Sequence, residues 1–222
     1  MKENKNKKIL IFGGSGFLGK NLINMLGEFD FEIIVFSQKK TLEKKILNYI
    51  PKNNLKIVGW SLDNIQSIEN HFLKVEAVIN LCGILYENKR GDFYRVHSDL
   101  PAILGKISSK YNVRNLIHIS ALGVSEDSKS IYSSSKASGE RRLLENFSNA
   151  KILRPSLLFG HGDNFFGQFS LMASISPVLP LISRSTKFQP VSVDDVVTGI
   201  INLLIGKRNK NQLYELGGQS TY

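Results

Sequence analysis

Ile9-Leu10-Ile11-Phe12-Gly13-Gly14-Ser15-Gly16-Phe17-Leu18-Gly19 is a continuous apolar run followed by glycines at 13, 16 and 19. A continuous run, rather than an alternating one, predicts a parallel strand covered on both faces. Gly13 suits a tight turn where a side chain would clash. Gly16 lets backbone approach a pyrophosphate, and Gly19 lets the next helix pack closely on the strand. The free N–H groups of that helix then point at the phosphates. A glycine-rich loop alone is weak evidence, because ordinary strand-to-helix turns also use glycine. One that follows a strand and opens a helix points to a dinucleotide.

Outward from this loop, a helix is predicted over 20–27, with Leu18, Leu22, Ile23, Met25 and Leu26 supplying its buried face. Strands are predicted at 32–37, 55–59, 77–81, 115–120 and 151–154, and helices at 42–50, 65–72, 93–111 and 132–147. The long helix is expected to kink or restart near Pro101. Strand and helix alternate throughout, which predicts an α/β fold: a doubly wound parallel sheet of the Rossmann type. Beyond Pro155 the pattern changes to a loop at 159–163, a helix at 164–175, an irregular stretch at 177–190, a helix at 193–205 and a strand at 213–216. Asp194 and Asp195 suit the positive start of the 193–205 helix. The expected organisation is a dinucleotide-binding domain over 1–154 and a small, incomplete substrate lobe over 155–222 packed on the same sheet.

The 222 residues, 42% of them apolar, suffice for one core rather than two full domains. No apolar run is long enough to predict a membrane-spanning helix. Residues 1–8 are polar and lysine-rich, unlike a secretory signal, and lack the arginine and amphipathic pattern of a mitochondrial presequence. The single cysteine, Cys82, excludes an intramolecular disulfide and fits a reducing compartment. Net charge is +10, with lysines clustered at 2–8, 39–45 and 207–210. Such clusters are ordinarily solvated surface. The sharper readings are attraction to an anionic membrane or protein surface, or to a cofactor phosphate. Without interleaved aromatics they do not predict nucleic-acid binding. No metal-ligand set is predicted.

In an open α/β sheet, ligands bind beyond the carboxyl ends of the strands. The first strand ends in the loop Gly13, Gly14, Ser15, Gly16, Phe17, Leu18 and Gly19. The second ends Ser37-Gln38-Lys39-Lys40, where an NAD site would place an acid for the ribose hydroxyl. No acid occurs until Glu43. A hydroxyl, an amide and lysines suit a 2′-phosphate, so NADP(H) is expected, with NAD(H) still open. The third strand leads into Ser61 and Leu62. The fourth ends Leu81-Cys82-Gly83, small enough for backbone to touch a ribose; Cys82 reads as a small buried residue rather than a nucleophile. The fifth ends at Ser120. Tyr132 and Lys136 follow, one helical turn apart and on one face. An ammonium beside a phenol is expected to lower its pKa, fitting Tyr132 for acid–base work. Lys136 can also reach a nicotinamide ribose.

With these residues, the chain resembles the extended and atypical short-chain dehydrogenase/reductases, a group that includes NAD-dependent epimerase/dehydratase-like proteins. The carriers are the GxxGxxG loop, the Asn80-Leu81-Cys82-Gly83 strand end and the Tyr132/Lys136 pair. Tyr132-Ser-Ser-Ser-Lys-Ala-Ser-Gly-Glu140, Ile152-Leu-Arg-Pro-Ser-Leu-Leu-Phe-Gly160, Gly162-Asp-Asn-Phe-Phe166, Ser176-Pro-Val-Leu-Pro-Leu181 and Gln189-Pro-Val-Ser-Val-Asp-Asp-Val196 are similar to the branch holding the accessory NADPH-binding subunit of respiratory complex I and its bacterial relatives. The resemblance implies further cofactor contacts from Pro155, Ser156 and Leu157, and a third catalytic group near Ser120.

Two departures stand out. Active members carry Ser or Thr one position beyond Ser120, where this chain has Ala121. The acid near the adenine is replaced by Trp60-Ser61-Leu62, with Asp63 just beyond. Relatives also continue well past the 213–216 strand, so the substrate lobe is expected to be incomplete. The resemblance implies an NADP(H)-binding protein with little or no turnover, docked on complex I subunits at a membrane surface. It would lie in the cytoplasm or the equivalent mitochondrial matrix, peripheral to the inner membrane. The alternative is an active NADP-dependent reductase, epimerase or dehydratase using Tyr132, Lys136 and Ser120.

Overall fold

The computed structural model describes residues 7–37, 54–163, 187–206 and 211–222. The predicted helices at 42–50 and 164–175, most of the irregular 177–190 stretch, and Gln38, Lys39 and Lys40 lie outside the described residues.

Seven parallel strands form the main sheet: β1 (Lys7–Phe12), β2 (Phe31–Ser37), β3 (Leu55–Gly59), β4 (Val75–Asn80), β5 (Asn115–Ile119), β6 (Lys151–Pro155) and β9 (Leu213–Leu216). Their order is β3-β2-β1-β4-β5-β6-β9, so the chain runs outward one way from β1 and then returns to β4 on its other side. That reversal opens a crevice at the carboxyl ends of β1 and β4, which is where ligands bind in such sheets.

The apolar run explains why β1 is central. Ile9 and Ile11 point into a core layer with Leu22 and Ile23 of α1 (Phe17–Leu26). Leu10 and Phe12 point into the opposite layer with Phe72, Leu104 and Leu143. All four β1 side chains are 0% exposed, as a strand covered on both faces requires. Phe12 stacks on Phe36 at 4.5 Å and meets the edge of Trp60 at 5.3 Å.

The 65–72 helix is two short pieces, α2 (Gln66–Glu69) and a 3-10 turn at Asn70–Phe72. The 93–111 helix starts as α3 (Asp92–Tyr94), widens into a π turn at Arg95–Asp99, and continues as α4 (Leu100–Lys110). Pro101 sits in the first turn of α4, where a missing N–H is tolerated. α5 (Ile131–Asn146) carries Tyr132 and Lys136.

Beyond β6, Leu158–Phe159 (β7) pairs in parallel with Val191–Ser192 (β8). Ser192 then caps α6 (Val193–Ile205), its hydroxyl accepting from the Asp194 N–H at 3.2 Å. The apolar side of α6 (Val196, Val197, Ile200) joins the α1 layer, and β9 extends the main sheet beside β6. Among the described residues, no helix is long and apolar enough to cross a membrane.

Candidate functional site

The turn from β1 into α1 is shaped by backbone proximity. Gly13 has φ +80°, and a Cβ there would lie 2.9 Å from the Cys82 nitrogen and the Leu81 carbonyl carbon. A Cβ on Gly19 would lie 2.5 Å from Gly14 Cα, so α1 and the loop meet with no room for a methyl. Gly14 is packed against Val35 and Ile23. Gly16 differs: it is exposed, and the nearest atom to an added Cβ is the Gly13 oxygen at 3.5 Å. Gly16 is also the N-cap of α1, which has no side-chain cap and no acid in its first turn. The first N–H groups of a helix lack intrahelical acceptors, so this end can receive an anion.

In front of it lies a cleft of about 370 Å³, walled by Gly13, Ser15, Gly16, Phe36, Ser37, Trp60, Leu81, Cys82, Gly83, Ile84 and Val96. Three separated stretches, the ends of β1, β2 and β4, thus meet in one concavity. Trp60 forms the wall beyond β3, its backbone N–H donating to the Ser37 carbonyl at 3.3 Å. Ser61 and Leu62 are not among the residues lining this cleft. The Ser61 hydroxyl is 3.3 Å from Asp63 Oδ2, and Leu62 packs toward the core. Phe17 and Leu18 also turn their side chains to the core, leaving only backbone for a ligand. Cys82 is half-buried in the cleft wall rather than fully buried as expected, and desolvation pushes its thiol up to about 12, so it stays protonated at neutral pH.

Beneath the β4 and β5 ends lies a polar layer. Asn80 accepts from the Cys82 N–H at 3.1 Å and donates to His118 Nδ1 at 3.1 Å. The His118 proton therefore sits on Nε2, which is buried without a partner among the described residues. Ser120, 4% exposed, likewise has an unpartnered hydroxyl. Lys136 is 5% exposed and donates to the Ile119 carbonyl at 3.4 Å. Desolvation pushes its ammonium down to about 8.

The expected lowering of the Tyr132 pKa is overturned. Burial raises the phenol above its ordinary value. Lys136 Nζ is 5.7 Å from the Tyr132 ring centroid, and its hydrogen bond goes to backbone, so desolvation dominates.

His97, unmarked by any motif, is 1% exposed and sits on the π turn. Its ring meets Tyr132 edge-on at 5.2 Å. Pro155 closes β6, and Ser156 and Leu157 follow it, none of them in the cleft wall. Their backbone groups go to Leu122, Leu216 and Val191. Phe36, Ile84 and Val96 line the cleft outside the expected contacts, and Trp60, read from sequence only as standing where an acid would sit near the adenine, is the wall residue of its stretch in place of Ser61 and Leu62. Ile84 directly follows a marked triplet, and Trp60 directly precedes a marked pair.

The family model for the NAD dependent epimerase/dehydratase family matches residues 9–217. NADH dehydrogenase (ubiquinone) 1 alpha subcomplex subunit 9, mitochondrial, of Dictyostelium discoideum is 28% identical over 96% of this chain and 59% of its own length. The Mus musculus protein of that name is 33% identical over 86% of this chain and 52% of its own. The chain thus spans between half and three fifths of these relatives. The Caulobacter vibrioides ceramide reductase is 25% identical over 87% of the chain and 59% of its own length.

Among solved structures, the Bordetella bronchiseptica enzyme WbmG in complex with NAD superposes with a TM-score of 0.79 at 19% identity, covering 100% of this chain and 76% of that one. A Thermotoga maritima UDP-glucose 4-epimerase gives 0.79 at 20% identity, covering 97% and 78%. These two likenesses establish the shared fold. With a parallel sheet, a glycine turn and a family match running from β1 to just past β9, the chain belongs to the NAD dependent epimerase/dehydratase family.

Proposed function

We propose that this chain binds a nicotinamide dinucleotide in the cleft between β1 and β4, prefers NADP(H), and serves with little or no turnover as an accessory subunit of the respiratory complex I kind. The observation that carries the binding is the bare N-terminus of α1 behind Gly16, the one glycine of this loop where an added Cβ would meet nothing nearer than 3.5 Å. The unpartnered Ser120 hydroxyl adds a buried polar atom that a ligand's polar groups would satisfy. Gly13 to Gly19 and Ser15 would hold the phosphates, Trp60 and Ser37 the adenosine end, and Gly83, Tyr132 and Lys136 the nicotinamide ribose.

The preference for NADP(H) rests on Ser37, nearly buried at the β2 end, and on the Gln38-Lys39-Lys40 sequence that follows it without an acid. The complex I reading draws on the mitochondrial relatives named above. It places the chain in the matrix or the equivalent cytoplasmic compartment, peripheral to the inner membrane. Low turnover is supported by Ala121 in the slot where active relatives carry a hydroxyl, and by a Tyr132 phenol raised rather than lowered.

The second reading is an active reductase, epimerase or dehydratase, and the surviving Tyr132/Lys136 pair favours it. A bound nicotinamide supplies hydride transfer. Tyr132 would then hold the proton exchanged with a substrate oxygen, and Lys136 would orient the ribose.

Titration of the protein with NADPH and NADH, followed by nicotinamide fluorescence, tests binding and preference together. Tighter NADPH binding is expected; equal or tighter NADH binding would remove the NADP reading. Gly16→Val should weaken binding at least about tenfold at unchanged melting temperature. Co-purification with respiratory-chain subunits and no turnover on carbonyl or nucleotide-sugar panels is expected. Turnover abolished by Tyr132→Phe with affinity intact would replace the scaffold reading by the enzymatic one.

A further inference from the structure

His97 joins three elements through one imidazole. Nε2 accepts from the Ile84 N–H at 3.0 Å. An amide can only donate, so Nε2 carries no proton and Nδ1 does. Nδ1 therefore donates to Ser135 Oγ, 3.1 Å away. The Ser135 hydroxyl, having accepted, donates to the Tyr132 carbonyl at 2.9 Å. Every donor and acceptor along Ile84, His97, Ser135 and Tyr132 is matched in one direction.

The ring also sits in an aromatic cluster, in which Phe93 and Tyr132 meet each other at 5.9 Å. Phe93 stacks on the imidazole at 5.3 Å, and Tyr132 meets its edge at 5.2 Å. Its place is set by backbone: a Cβ on Gly139 would fall 1.8 Å from the His97 carbonyl oxygen, so only glycine lets α5 approach the π turn this closely. Ile84 and Val96, which flank this link in sequence and space, both line the cleft.

We propose that His97 is a positioning residue that fixes the β4 wall of the nucleotide cleft relative to Tyr132, by anchoring the Ile84 amide to the first turns of α5. The inference rests on the dinucleotide reading of the cleft. A merely space-filling ring would be replaceable by a hydrophobic side chain of similar size. An anchor needs an acceptor facing Ile84. Without it, the Ile84 N–H loses its partner and the Gly83–Ile84 wall is free to swing.

Three variants of the full chain separate these roles. His97→Leu keeps volume and removes both polar atoms. His97→Gln offers an acceptor near the Nε2 position, and His97→Asn offers a donor near the Nδ1 position only. Dinucleotide affinity is read by nicotinamide fluorescence, Ile84 amide exchange by NMR, and fold integrity by thermal melting. His97→Leu and His97→Asn should each bind about tenfold more weakly, the effect of one lost buried acceptor, with faster Ile84 exchange. His97→Gln should restore both readouts to within about twofold of wild type.

Binding and Ile84 exchange in His97→Leu equal to wild type would overturn the proposal. So would losses that follow melting temperature alone across the three variants. If His97→Leu does not fold, the contrast between Gln and Asn still decides. If the wild type binds no dinucleotide, the reading of the cleft fails by itself. Ile84 exchange, slow in His97→Gln and fast in His97→Asn, would then still support the anchor, and equal rates would sink it.

Discussion

Lys136 is 5% exposed, and its ammonium hydrogen-bonds one backbone carbonyl, that of Ile119. Glu140, the carboxylate that favours its charge, is already held bidentately by Arg154 at 2.9 and 2.6 Å. Desolvation therefore wins, and Lys136 titrates at about 8 in the fold against 10.5 in the unfolded chain. Between those values the unfolded chain binds the extra proton, so this group makes stability rise with pH through that window. The slope is about 1.4 kcal/mol per pH unit, one proton's worth. Urea unfolding at pH 7.5 and 10 should show the rise relative to Lys136→Met; parallel curves would mean the ammonium is better solvated than its burial implies. Cys82 gives a second test at this scale. With its thiol pushed up to about 12, the folded protein should resist iodoacetamide at pH 8 and react only once unfolded, read by mass spectrometry. The Tyr132–Lys136 spacing was legible because helical periodicity places i and i+4 together. The balance of desolvation against charge was not, because burial depends on what α4 and the π turn lay over the pair.

The approach of α5 to the π turn depends on Gly139. A Cβ there would collide with the His97 carbonyl oxygen and press on Pro101 Cγ at 3.2 Å. Relief requires moving backbone, so Gly139→Ala should cost about 3 kcal/mol, seen as a lowered urea midpoint with unchanged slope. Gly105→Ala is the comparison, since its Cβ would first meet the Leu143 side chain at 3.0 Å, which can turn aside; it should cost less. Strands β3 and β9 and helix α6 follow the predicted bounds because apolar runs and turn residues fix them locally. The 93–111 helix was legible as helix, but not its π turn. That turn carries His97, whose carbonyl lies against Gly139 and whose ring bonds to Ile84 and Ser135. No local propensity encodes partners 13 and 38 residues away.

Across the whole molecule, the sheet divides two apolar layers, and the charge-bearing chemistry gathers where strands β4 and β5 end. The division was readable from the unbroken apolar run in β1. The chain's later part was harder to place: β9 joins the main sheet and α6 the α1 layer, a long-range outcome of pairing with β6. The polar layer at the strand ends makes a prediction about the molecule as a unit. His97 and His118 are both buried, and desolvation, aided by the Lys136 charge, pushes each down to about 3. In the unfolded chain each titrates near 6.5, so between these values the unfolded state binds more protons and stability falls as pH drops. Two such groups together remove about 4 kcal/mol by pH 5 from a typical folding margin of about 5–15 kcal/mol, so acid unfolding is expected at a higher pH than carboxylate protonation alone would set. His118→Leu isolates one of them. At neutral pH it should cost about 1 kcal/mol, because the Asn80 amide loses its acceptor while the unpartnered Nε2–H disappears. Between pH 6 and 4 its stability should fall less steeply than wild type by about 1.4 kcal/mol per pH unit. Equal slopes in urea titrations across that range would show that His118 takes up its proton without unfolding, with the β4–β5 layer opening to water instead.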